Sequence, residues 1–230
     1  MKVYSFHPLS EGVFLKRDNR FLITANLNGK EVKAHLRDPG RLKELLIPGN
    51  RVLLQKTEKQ ERKTKYEVVA FFDGNIPVIV NSGIHSRIAE KIIPMLTGCT
   101  VIKKEIQFLD SRIDFLAKCE KDALIEVKGC TLVRNGIALF PDAPTERGLK
   151  HLKDLIRALE MEWDAKVLFL VMRPDADVLK PNKDTHPEFA DMFAKAIDAG
   201  VEAIAATFRL EIEGETGNDY FDRVIRVEKV

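Results

Sequence analysis

Apolar and polar residues alternate with a period of two through most of the first 80 residues. "VFLKR", "RFLITANL", "KEVKAHL", "RVLLQK", "YEVVAFF" and "PVIV" each place apolar side chains on one face of an extended segment. Asn28-Gly29 and Asp73-Gly74 separate some of them, and such dipeptides favour tight hairpin turns. Between the third and fourth segments, "PGRLKELLIPG" spaces Leu42, Leu45 and Leu46 as a short helix would, before Pro48-Gly49 stops it. Three strands, a helix and two or more strands predict an OB-like β-barrel over residues 1–80, a candidate nucleic-acid-binding domain.

After that point the period changes, and residues 81–230 read as an α/β domain. "SRIAEKIIPML", the segment 143–161 and "PEFADMFAKAIDAG" have helical spacing, and strands are expected near 112–133, 166–172 and 201–212. The long helix carries Leu149, Leu152, Ile156 and Leu159 on one stripe, with Leu155 beside them. Arg147 and His151 lie four apart on the opposite side, a face that is either exposed or functional. The last helix buries Phe189, Met192, Phe193, Ala196 and Ile197 and is closed by Gly200.

Candidate chemistry enters with "RIDFLAKCEKDALIEVKGCTL", two apolar runs joined by Glu120-Lys121-Asp122. An antiparallel hairpin looping at those three residues sets Asp114 opposite Lys128 and diagonal to Glu126, with Glu126 and Lys128 on one face. Two carboxylates are hard donors for Mg²⁺ or Mn²⁺, and the Val127 carbonyl adds a third oxygen. Lys128 then orients a water or stabilises the charged transition state of phosphodiester hydrolysis. The alternative is an ordinary cross-strand ion pair, worth about 0–1 kcal/mol.

Further cations gather near these acids. In "FPDAPTERGLKHL", Asp142 can cap the long helix, whose N-terminal end attracts phosphate. Arg147, Lys150 and His151 follow and can face a phosphate or the edge of a metal site, unless this is simply a basic surface helix. Arg173, at the end of "KVLFLVM", is expected in the same cleft. His35, Arg37 and Arg41 in "HLRDPGRL" sit around an Asp-Pro-Gly turn that either presents them to a phosphate backbone or is only a turn. His7, His85 and His186 lack a partner at zinc-binding spacing.

Composition narrows the classes. With 230 residues and 45% hydrophobic content, the chain can bury a core and divide into two modest domains. No apolar run is long enough to span a bilayer, and "MKVYSFHPLSEG" lacks a signal-peptide core, so a cytoplasmic protein with no membrane partner is expected. A net charge of +2 is too small to announce nucleic-acid binding, which must then rest on local clusters such as "KTEKQERKTK" (56–65) and Lys103-Lys104. Cys99, Cys119 and Cys130 are odd in number and lie in or beside apolar segments, so reduced, partly buried thiols are expected. Homo-oligomerisation is left open.

"HLRDPGRLKELLIPG", "RIDFL", "EVKGCTLV", "ALFPDAPTERGLKHL" and "MRPDADVLKPN" together closely resemble the SfsA (sugar fermentation stimulation) family over nearly the whole chain, with "GETGNDYFDRVIRVEKV" extending beyond. The resemblance implies DNA binding and, by name, a link to sugar metabolism. It also implies a PD-(D/E)XK nuclease-like fold for the second half, with Asp114, Glu126 and Lys128 at the acid and acid-x-lysine positions. Nucleases of that fold often add an upstream helical acid, for which Glu90 is the candidate; Ile113, where Pro often precedes the first acid, is a departure. The expected function is DNA binding with an Mg²⁺- or Mn²⁺-dependent nuclease site. The alternative is a non-catalytic, sequence-non-specific DNA-binding regulator linked to sugar metabolism.

Overall fold

The computed structural model of the chain describes residues 1–57 and 64–229. Its strands in chain order are β1 (Lys2–Phe6), β2 (Leu9–Asn19), β3 (Leu22–Leu27), β4 (Lys30–His35), β5 (Arg51–Lys56), β6 (Tyr66–Asp73), β7 (Ile76–Ile79), β8 (Thr100–Phe108), β9 (Ser111–Lys118) and β10 (Asp122–Cys130). They continue with β11 (Val133–Arg134), β12 (Ile137–Phe140), β13 (Asp164–Val171), β14 (Val178–Pro181), β15 (Glu202–Glu213) and β16 (Thr216–Val227). The helices are α1 (His85–Thr97), α2 (Glu146–Glu160) and α3 (Pro187–Ala199). The chain divides into two compact units: Met1–Ile84 with Met172–Pro174 and Phe208–Asp222, and His85–Val171 with Asp175–Thr207 and Arg223–Val230.

In the first unit the strands run β4-β3-β2-β5-β6, and β4 pairs in parallel with β6 to close a five-stranded barrel, with β7 added on β6. This is the OB-like barrel that the alternation predicts. Asn28 (φ 53°) and Gly29 (φ 81°) form the two-residue turn between β3 and β4, where both central residues need positive φ. Phe14, Ile23, Leu36, Val52, Leu54, Val68 and Phe71 fill the interior, with Phe14 edge-on to Phe71 at 5.4 Å. The helix expected in "PGRLKELLIPG" does not form. Leu42 takes a left-handed conformation (φ 49°) and the segment makes only tight turns, with Leu45 and Leu46 both donating to the Leu42 carbonyl. Leu42 and Leu45 are nevertheless fully buried, so their spacing reports plugging of the barrel. Residues 208–222, read from the sequence as part of the second domain, join this unit because β16 pairs with β1.

The second unit is built on a mixed sheet in which β10, β13 and β15 are parallel neighbours and β9 and β8 continue antiparallel from β10. Apolar Leu124, Val167, Phe169 and Val171 meet Leu152 and Leu155 of α2 and Phe189 and Phe193 of α3 in one core. The opposite face of β10 carries Gly129, where a Cβ would overlap the His85 ring at the start of α1. The buried face of α2 differs from the expected stripe: Gly148, His151, Leu152, Leu155 and Ala158 are buried, while Leu149, Ile156 and Leu159 are only partly so. The helix is thus rotated towards His151, because His151 finds polar partners beneath it. Its N-cap is Thr145, whose Oγ1 accepts from Gly148 N at 3.0 Å, and not Asp142. α3 has its expected limits, closed by Gly200 at φ 108°.

The cysteines also differ from expectation. Cys99 and Cys119 form a disulfide, and only Cys130 is a buried free thiol. Thr100 of β8 pairs with Lys118 of β9, so the two cysteines just outside that pair face each other although 20 residues separate them.

Candidate functional site

Three strand positions and one helix turn make the site. In the β9–β10 hairpin, Asp122 pairs with Lys118 and Ile125 with Phe115, so the loop is Cys119 to Lys121, one residue earlier than expected. That register carried forward brings Asp114 level with Glu126 and not with Lys128. The offset from the expected register is two residues, so every side chain keeps its face. At this point the ladder opens: Asp114 Oδ2 accepts a hydrogen bond from Val127 N at 2.7 Å, and the side chain takes a place that a backbone carbonyl would otherwise fill.

Leu124, Glu126 and Lys128 point to the face covered by α2, which places Glu126 under His151. Glu126 is 2% exposed and His151 2%. Glu126 Oε1 accepts from Lys128 Nζ at 2.5 Å and forms a short hydrogen bond with His151 Nδ1. Arg147 Nε approaches His151 Nε2 at 3.3 Å and Lys128 Nζ approaches Nδ1 at 3.2 Å, so the ring lies between two cationic donors while Nδ1 also meets Glu126. Burial pushes the Glu126 carboxyl up, but Lys128 and His151 outweigh it and hold the group below its ordinary value. Asp114 behaves oppositely: burial and the Glu126 charge push it up to about 6, against the pull of the Val127 N–H, Lys128 and His151. Glu126 Oε2 is buried without a hydrogen-bond partner.

Two neighbouring carboxylates, one raised in pKa by burial and then by the other's charge, and one with an orphaned buried oxygen, are the donor set that a divalent cation would satisfy. Among the described residues, no group of three or more His, Cys, Asp and Glu side chains converges as a metal cage. A cation here would thus complete its shell with main-chain and water oxygens, as Mg²⁺ commonly does.

Beside the cluster, a cleft of about 510 Å³ is lined by Asp110, Ser111, Arg112, Glu146, Arg147, Lys150 and His151. Lys150 Nζ donates to the Asp110 carbonyl at 2.6 Å, which leans it over this cleft. The structure therefore brings together Asp114, Glu126, Val127, Lys128, Arg147, Lys150 and His151.

Other predicted residues lie elsewhere. Glu90, on the exposed side of α1, pairs with Lys104 of β8 at 2.5 Å, and the cluster is built without it. Arg173 is 2% exposed and pairs with Asp73 at 2.9 Å within the first unit. His35, Arg37 and Arg41 belong to the barrel. Arg37 pairs with Glu67 at 2.8 Å, and the Asp-Pro-Gly turn is held by Arg17, which donates to the Gly40 and Arg41 carbonyls. Of "KTEKQERKTK", residues 58–63 lie outside the described residues. Two histidines without an expected role have structural work: His186 Nδ1 accepts from Thr145 N at 3.2 Å at the foot of α2, and His85 packs on Gly129 with Nε2 buried and without a hydrogen-bond partner. A glycine following "EVK" was the available signal for the second.

Residues 15–80 match the family model described as the SfsA N-terminal OB domain, and residues 79–214 the one described as the sugar fermentation stimulation protein RE domain. The chain is 46% identical over 212 residues to a sugar fermentation stimulation protein homolog of Methanothermobacter thermautotrophicus, covering 90% of this chain and 88% of that protein. A homolog from Saccharolobus solfataricus is 44% identical over 90% of this chain and 83% of its own length. The solved structure of Pyrococcus furiosus SfsA in complex with Ca²⁺ superposes with a TM-score of 0.90 at 31% identity, covering 99% of both chains. By both halves of its sequence and by its fold, the chain belongs to the sugar fermentation stimulation protein family.

Proposed function

We propose that this protein binds nucleic acid, DNA by the family resemblance, and that Asp114, Glu126 and Lys128 form a divalent-cation phosphodiesterase site. The reading rests on one observation: Glu126 Oε2 is buried without a hydrogen-bond partner beside an Asp114 carboxyl that burial and the Glu126 charge push up to about 6. An ion pair meant only for stability has no reason to keep a second acid there. Asp114, Glu126 and the Val127 carbonyl would hold Mg²⁺ or Mn²⁺, and the Ca²⁺ complex of the Pyrococcus furiosus relative supports a hard cation in this family. Such a cation, when bound, lowers the pKa of a water and offsets phosphate charge.

The chain's own residues supply the rest. His151 fixes Glu126 through Nδ1, and Arg147 fixes His151 through Nε2. Lys128, at 2.5 Å from Glu126, stands where it can orient a water or meet charge developing on the phosphate. Arg147, Arg112 and Lys150 border the cleft as phosphate partners.

Thermal melts with and without Mg²⁺ or Mn²⁺, run beside cleavage of a labelled DNA, test this. The cation is expected to stabilise wild type by about 2.7 kcal/mol at a hundredfold excess over Kd. Asp114→Asn and Glu126→Gln should abolish that gain, and Lys128→Ala should keep it; all three should lose cleavage. Stabilisation that survives both acid variants would remove the site. Stabilisation with no turnover by wild type would favour the non-catalytic DNA-binding alternative, which the double hold of Lys128 and His151 on Glu126 Oε1 also suits.

A further inference from the structure

We propose that a pocket on the barrel takes an unpaired base of a single-stranded nucleic acid, stacked on Phe21 with His35 at its side; the proposal rests on the nucleic-acid reading above. The pocket, about 550 Å³, is lined by Asn19, Phe21, Leu22, Lys33, His35 and Arg37. Sites for small planar ligands commonly measure about 300–1,000 Å³. Phe21 lies in the turn between β2 and β3 and is 46% exposed, a large apolar ring that the core does not use. Its backbone is nevertheless fixed, since the Phe21 carbonyl accepts from Leu36 N at 2.9 Å. His35 pairs with Leu22 across β3 and β4, and its ring centroid stands 6.5 Å from that of Phe21 with planes inclined by 33°. The two tilted rings stand as neighbouring aromatic walls of the pocket, and an unpaired base can stack on the exposed Phe21 ring with His35 at its side.

Charge decides what the pocket selects. Lys33 Nζ donates to Asp18 at 2.8 Å and to Thr24 at 2.6 Å, and Arg37 is held by Glu67 at 2.8 Å. The cations within the pocket are thus already neutralised by neighbouring acids, and its apolar rings favour a flat, uncharged ligand over a phosphate. Arg20, exposed, lies over the Phe21 ring with its guanidinium 5.5 Å from the centroid. That face already accommodates a planar π-stacking group, and Arg20 is placed to meet the phosphate of a base that takes its position. A nucleobase carries both parts. Bases inside a duplex are stacked on both faces, so the base must come from a single strand.

The test uses the full chain and fluorescence anisotropy with a labelled single strand, its duplex, an abasic strand of equal length, and a free nucleoside monophosphate. Wild type should bind the single strand tighter than the abasic strand or the duplex. Phe21→Ala should weaken the single strand by about 5- to 150-fold, equivalent to ~1–3 kcal/mol for one stacked base, without changing the slope of affinity against salt. Phe21→Trp should retain the affinity, and Arg20→Ala should reduce the salt slope. Since Phe21 is exposed, its variants should melt as wild type does. Equal binding of all three strands with Phe21→Ala unaffected would overturn the stacking site and leave nucleic-acid binding standing. A monophosphate that binds as tightly as the strand would overturn the single-strand assignment. Absence of binding to every nucleic acid at low salt would remove the nucleic-acid reading itself.

Discussion

Asp114 shows what a single residue's surroundings do to its chemistry. Its carboxyl is raised to about 6 in the folded chain, against an ordinary value of 3.8, with burial as the largest cause. A raised acid contributes stability below its unfolded pKa and loses it as pH climbs through the folded one. Metal-free protein is therefore expected to lose about 3 kcal/mol between about pH 3 and pH 7 from this group, because each tenfold change in proton affinity is worth ~1.4 kcal/mol. Glu126, held low, works in a separate window and weakens the fold only as pH falls below about 4.5. Asn at 114 can still accept from Val127 N, so Asp114→Asn should flatten the fall above pH 4 in denaturant titrations with chelator present. A slope unchanged by that substitution would show that Asp114 is not perturbed. Gly129→Ala makes a second residue-scale prediction: its Cβ would overlap the His85 ring, and displacing that ring should cost ~1–3 kcal/mol, read as a lowered denaturation midpoint.

Among the elements, the β8–β9 pair and α2 depart most from expectation. The Cys99–Cys119 disulfide closes a 20-residue separation around β8 and β9, which chain entropy values at ~3 kcal/mol. Without reductant, denatured protein should titrate one thiol, that of Cys130, and after reduction all three. Cys99→Ser should lower stability by about that amount, and three thiols without reductant would refute the bond. For α2, amphipathic spacing identified the helix but misjudged its rotation. The leucine stripe was counted as apolar and His151 as polar, yet His151 is buried because Glu126 and Arg147 satisfy both of its nitrogens. Hydropathy has no means of recognising a polar group whose partners are supplied by another strand.

Over the whole molecule, a net charge of +2 leaves no general attraction for a polyanion, so the proposed nucleic-acid binding would have to come from where cations gather. In the second unit, a groove of about 750 Å³ beside α2 carries Lys150, Lys153, Arg157 and Lys195 against two acids, Asp110 and Asp154, and Lys150 also borders the cleft at His151. On the proposed reading, a nucleic-acid backbone in this groove would reach the His151 cleft by way of Lys150. Lys153→Glu or Arg157→Glu should weaken every sequence alike and reduce the salt slope by about 0.7–0.9 for each phosphate that is no longer neutralised. Affinity unchanged in both variants would place the binding surface elsewhere. No helix among the described residues is long and apolar enough to cross a membrane.

Alternation and helical spacing were enough to delimit the barrel strands, α1 to α3 and the hairpin bearing Asp114, Glu126 and Lys128, because each side chain's face follows from period alone. The acids and the lysine could be singled out for the same reason, and the motif around "FPDAPTERG" identified the family from sequence. Register was another matter. A two-residue displacement of the hairpin leaves every face unchanged, so only the ladder itself could set Asp114 level with Glu126 and put its carboxylate on Val127 N. Tertiary structure likewise decided that Glu90 goes to Lys104, that Arg173 is buried on Asp73, that Cys99 meets Cys119, and that β16 returns to β1. Each of these joins segments far apart in the chain, and local periodicity carries no information about which distant segment will lie beside a given face.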